Sequence, residues 1–103
     1  MAQNKPDFQP GLHEVLVTPD MAADLLSTKA DFQRSISMRT VKKFADEMIR
    51  GQWRYVPSLV ISISFDGEIV DGQHRLQAVL LSGMPQKFMV HYGACANDFS
   101  VID

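Results

Sequence analysis

The chain has 103 residues, of which 46% are hydrophobic and 21% charged, with a formal net charge of −2. That length supports one small core rather than two domains, and the composition is that of an ordinary globular domain. The slightly acidic balance excludes a protein that holds nucleic acid through bulk positive charge alone. Cys95 is the only cysteine, so no disulfide closes within the chain.

Residues 1–11 hold two prolines and few apolar groups and read as a flexible lead-in, leaving 12–103 as the domain. Leu12 to Val17 is a strand candidate. Thr18-Pro19-Asp20 is a helix start: Thr18 caps, Pro19 suits the first helical position, and Asp20 complements the helix dipole. Met21, Ala22, Leu25 and Leu26 make its apolar face. A polar connector, 28–36, contains Gln33-Arg34.

Ser37 is the expected cap of the next helix. Val41, Phe44, Ala45, Met48 and Ile49 recur at helical spacing and predict one buried stripe. Gly51 stops that helix, and Trp53 folds back on the core. Leu59, Ile61, Ile63 and Phe65 then alternate with Ser58, Val60, Ser62 and Ser64, the period of a strand with one apolar face. Asp66-Gly67 is a hairpin turn, and Glu68-Ile69-Val70 is the return strand. Leu76, Val79 and Leu80 belong to a third helix that ends at Ser82-Gly83. Gln86 to Tyr92 is the last strand, and Asn97 onward a short helical turn. The order β-α-α-β-β-α-β predicts an α+β domain with a small mixed sheet and three helices.

The chemistry concentrates at Ile69-Val70-Asp71-Gly72-Gln73-His74-Arg75-Leu76. A strand that turns through glycine into a helix offers free backbone N–H groups and the positive end of the helix dipole, which together favour an anion. Gly72 lacks the Cβ that would block close approach. Gln73, His74 and Arg75 add side-chain donors, and arginine holds phosphate with two parallel hydrogen bonds. On local physics an equally good account is a turn in which Asp71 caps the helix and Arg75 pairs with a surface carboxylate. His74 is the local group suited to proton transfer, with Asp71 beside it. Asp71 with Glu68 is a weaker candidate for a metal, and no full metal site is expected. His13 and His91 have no partner at ligand spacing and read as structural. Trp53 and Tyr55 are stacking candidates, with packing the simpler role for Trp53.

Basic residues cluster nearby in sequence. Residues 33–55 contain Arg34, Arg39, Lys42, Lys43, Arg50 and Arg54 against Asp46 and Glu47. Such a run is either a solvated helix face or a stripe that follows a phosphate backbone.

The segment Asp71-Gly72-Gln73-His74-Arg75-Leu76, with Ala78 and Ser82-Gly83 behind it, resembles the signature of ParB/sulfiredoxin-fold proteins, closest to a ParB-like branch with a DGQHR box found in phage and bacterial genomes. Gln33-Arg34 falls where that branch carries an upstream arginine. Met48-Ile49-Arg50-Gly51-Gln52-Trp53 is similar to its M-x-x-G-x-W helix end, and Phe65 to Val70 to its hairpin. The likeness covers about residues 15–103. It implies a phosphate pocket formed by Gly72, Gln73, His74 and Arg75 with Arg34. Relatives use such pockets to bind and hydrolyse nucleotides or to transfer phosphoryl groups, and a nuclease role is proposed elsewhere. The implied ligands are a nucleotide (CTP or ATP) with Mg²⁺, or DNA.

Two departures narrow this. Sulfiredoxin carries its catalytic cysteine where this chain has Gln73, so its activity is not expected. ParB needs a downstream DNA-reading domain and dimerisation segment, so a further domain, a protein partner or a homo-oligomer is an open expectation. The alternative is a non-catalytic regulatory module of phage or bacterial origin that keeps the box for folding. No apolar run approaches the roughly 20 residues of a membrane span, and the polar start lacks a signal peptide, so a cytoplasmic protein without membrane contact is expected.

Overall fold

The computed structural model describes residues 10–27 and 36–94. Its elements are β1 (Gly11–Val17), α1 (Pro19–Leu26), α2 (Met38–Ile49), β2 (Val60–Ser64), β3 (Ile69–Asp71), α3 (Gln73–Ser82) and β4 (Gln86–Ala94). This is the expected α+β order. The lead-in 1–9, the connector with Arg34, Cys95 and the tail lie outside the described residues. β1 takes in Gly11, one residue earlier than expected, because Gly11 pairs with Tyr92.

The four strands form one mixed sheet in the order β1-β4-β2-β3. β4 is antiparallel to β1 and parallel to β2, and β2 is antiparallel to β3. A parallel neighbour needs a crossover, here supplied by β3 and α3. The β2–β3 turn is the one Asp66-Gly67 predicts. The Gly67 N–H donates to the Ser64 carbonyl at 2.9 Å, and the Ser64 hydroxyl accepts from the N–H groups of Asp66 and Glu68. The return strand is shifted one residue toward the C-terminus, ending on Asp71.

One core joins sheet and helices. Val17, Ile61, Ile63, Ile69, Phe88 and Val90 from the sheet pack with Ala22, Leu25, Ala45, Met48, Leu76, Ala78 and Val79 from the helices. Trp53 packs against this core as expected, edge-on to Phe44 and Phe88 with ring centroids 5.1 and 6.1 Å away. The Lys87 ammonium lies 5.5 Å from the centre of the Tyr55 ring. Three sequence expectations change. Ile49 sits on the edge of the α2 stripe and is 60% exposed, although Met48 beside it is fully buried. Leu59 and Phe65 lie outside β2 and are exposed. Ser62 and Ser64 are buried like their apolar neighbours, so β2 has no open polar face.

Caps match the sequence. The Thr18 hydroxyl accepts from the Met21 N–H at 3.2 Å, with Pro19 opening α1. The Ser37 hydroxyl accepts from Thr40 N–H at 3.3 Å. Thr18→Ala is expected to lower unfolding stability by about 1 kcal/mol in urea titration, whereas Thr18→Asn stays near wild type. Equal losses in both variants would show that the cap contributes nothing specific.

α2 and α3 lie side by side and point the same way. At one end the Ser37 N–H meets His74, and at the other the Ser82 hydroxyl lies 3.6 Å from the Met48 sulfur. α1 packs on α3 as well. No described helix is long and apolar enough to cross a membrane.

Candidate functional site: the shared N-terminal end of α2 and α3

Parallel packing brings two positive helix ends together. α2 begins after Ser37 and α3 after Gly72, and neither has an acidic residue in its first turn. Arg39 stands in the first turn of α2, and His74 and Arg75 in that of α3. Each basic group there opposes the local dipole by about 0.3–1 kcal/mol unless an anion or carboxylate offsets it.

Gly72 is the N-cap of α3 and gives no side-chain hydrogen bond. Capping by Asp71, one of the two local accounts of this turn, does not occur, because Asp71 is the last residue of β3 and the N-cap falls on Gly72, with α3 starting at Gln73. Gly72 has φ 108°, and a Cβ built there would lie 2.8 Å from Ile61 Cγ1. The turn therefore requires glycine twice, for its backbone and for its contact with the β2 floor. The first bond within α3 runs from the Leu76 N–H to the Gly72 carbonyl at 3.1 Å. The N–H groups of Gln73, His74 and Arg75 precede it and meet no acceptor among the described residues. Gln73, the first residue of α3, is buried at 7% exposure.

The side chains of His74 and Arg75 are engaged. His74 Nε2 accepts from the Ser37 N–H at 2.9 Å. A ring nitrogen that accepts a hydrogen bond carries no proton, so Nε2 is the unprotonated nitrogen in this contact. The lone pair that a general base would use is occupied by the helix start. Arg75 reaches back to β2, donating from Nη1 to the Leu59 carbonyl at 2.9 Å and from Nη2 to the Val60 carbonyl at 3.2 Å. It does not pair with a surface carboxylate, the alternative that local physics allowed; the guanidinium clamps backbone instead. Burial pushes the Arg75 guanidinium below its ordinary value, and the Asp71 charge pulls it back up. Arginine nevertheless stays charged at neutral pH.

The other predicted residues separate. Arg39, Lys42 and Lys43 are exposed on α2. Arg50 is held by Asp46, Nε to Oδ2 at 3.1 Å. Arg54 lies away from α2, in the segment that leads to β2, lining a cleft with Arg75. Arg34 lies outside the described residues. Among the described residues no three His, Cys, Asp or Glu side chains gather to hold a metal. Sequence spacing missed Ser37 as the partner of His74, and the Leu59 and Val60 carbonyls as partners of Arg75. No periodic signal marks such contacts, since they join segments far apart in the chain.

No family model, curated protein or solved structure matches this chain.

Proposed function

We propose that this domain holds a phosphate group of a nucleotide or of nucleic acid at the shared N-terminal end of α2 and α3. The observation that carries the reading is the uncapped Gly72 turn. Three consecutive N–H groups follow it without an acceptor among the described residues, beside a second helix N-terminus and Arg39. An anion there satisfies backbone donors and both dipoles at once. The resemblance of the Asp71–Leu76 segment to the ParB/sulfiredoxin fold supports the same reading and the same fold. CTP or ATP fits the donor set, with any Mg²⁺ arriving on its phosphates and Asp71 as the adjacent exposed carboxylate. If the domain is an enzyme, the matching class is phosphoryl transfer or phosphoester hydrolysis. Lys42 and Lys43 extend the positive surface along α2 toward a nucleic-acid backbone.

A second reading is favoured by the engaged side chains. His74 and Arg75 both act as internal struts, which suits a regulatory module that keeps the box for folding.

Arg39→Glu separates the two. The residue is exposed, and an acid in the first turn of α2 favours the helix dipole by about 0.3–1 kcal/mol. The expected result is a protein at least as stable as wild type whose affinity for inorganic phosphate, CTP, ATP or a short DNA falls about tenfold by calorimetry. Wild-type protein that binds none of these, with Mg²⁺ present, would leave the folding role as the account of the box.

A further inference from the structure

A cleft of about 510 Å³ lies between the later half of α2, the segment 52–59 and the side chain of Arg75. Its volume is within the range of small-molecule sites. Its lining includes none of Asp71 to His74; the two sites share Arg75 alone, which offers its backbone N–H to the helix-terminal site and its side chain to the cleft.

The walls are apolar and aromatic, from Phe44, Trp53, Val56 and Leu59. Val56 and Leu59 leave 38% and 51% of their surface in solvent, although both border the cleft. Trp53 is fixed edge-on between Phe44 and Phe88. Its indole nitrogen is buried away from water and has no partner among the described residues, so the indole meets the cleft with carbon and π surface. A flat ring stacks on such a surface with little conformational cost.

Charge decides what the ring carries. Arg75 spends two of its five N–H donors on the Leu59 and Val60 carbonyls, and no carboxylate forms an ion pair with it among the described residues. The guanidinium is thus half-buried with donors in hand. Arg54 and Glu47 complete the charged lining, and Asp71 acts on Arg75 from outside the cleft. The Arg75 N–H donors left over suit one anionic acceptor group on the ligand.

We propose that this cleft binds a small planar aromatic monoanion, its ring against Trp53 and its carboxylate on the Arg75 guanidinium. Trp53 is the only tryptophan in the chain, so intrinsic fluorescence reports on the cleft directly. The probe is 4-nitrobenzoate, a contact quencher, titrated at fixed ionic strength against nitrobenzene and hexanoate. Saturable quenching by 4-nitrobenzoate is expected, with nitrobenzene and hexanoate each weaker by about tenfold. Leu59→Asp puts a negative charge at the rim from an exposed position, and should weaken 4-nitrobenzoate about tenfold while the melting temperature holds. Inorganic phosphate should leave the titration unchanged. Linear, unsaturable quenching in the wild type would overturn the proposal. So would nitrobenzene or hexanoate binding as tightly as 4-nitrobenzoate, unchanged affinity in a folded Leu59→Asp, or displacement by phosphate.

Discussion

Gly72→Ala is expected to destabilise the domain by about 3 kcal/mol or more, because two costs of about 1–3 kcal/mol fall on one methyl group. The first is backbone strain: φ is 108° at this position, where a side chain is disfavoured. The second is steric. The new Cβ would sit 2.8 Å from Ile61 Cγ1 and 3.2 Å from Ile61 Cβ and Cγ2, and Ile61 is a fully buried residue at the floor of the core. Against a total of about 5–15 kcal/mol the loss is large. The melting temperature should fall by roughly 12–24 °C. A double-mutant cycle with Ile61→Ala tests the steric half. Ile61→Ala alone should cost about 2–5 kcal/mol. The double variant should lose less than the sum, since Ile61→Ala removes Cγ1 and Cγ2. Strict additivity would assign the whole effect of Gly72→Ala to the backbone.

Arg75→Ala is expected to cost about 2–3 kcal/mol of stability. Its two charge-assisted hydrogen bonds fasten the first turn of α3 to Leu59 and Val60, where the chain enters β2. Truncation frees the start of β2 and leaves two carbonyls to find water. Arg75→Lys keeps the charge but loses the fork, and should recover less than half of the stability. Because arginine does not titrate in the working range, the loss should be the same from about pH 5 to pH 9. Denaturant titrations of the three proteins at both limits measure this. An Arg75→Ala protein as stable as wild type would show that the clamp contributes nothing to the fold.

Much of the fold was legible because its signals are local. Thr18-Pro19, Ser37 and Asp66-Gly67 each fix a boundary through bonds made within four residues. Exposure was less legible. Periodicity says which side chains share a face, but not where the covering layer stops, so Ile49 and Phe65 read as core and are exposed. Ser62 and Ser64 show the converse, since alternation assigned them to an open face. At the candidate site, Gly72 was legible as a turn, because a glycine between strand and helix has few other uses. The roles of His74 and Arg75 were not. Ser37 and Leu59 are their partners, and neither residue bears a side chain that advertises the contact.

The position of β4 sets the order in which this domain can assemble. β1 and β2 do not pair; each pairs with β4, which lies between them and comes last of the described elements. As the chain leaves the ribosome, helices and the β2–β3 hairpin can form from local contacts. The sheet cannot close until residues 86–94 emerge and thread between two waiting strands. Pairing of Leu12 with His91 spans most of the chain, and such non-local closure is slow to form. Until then β1 and β2 each present an unsatisfied edge, the kind of surface on which nascent chains stick to one another.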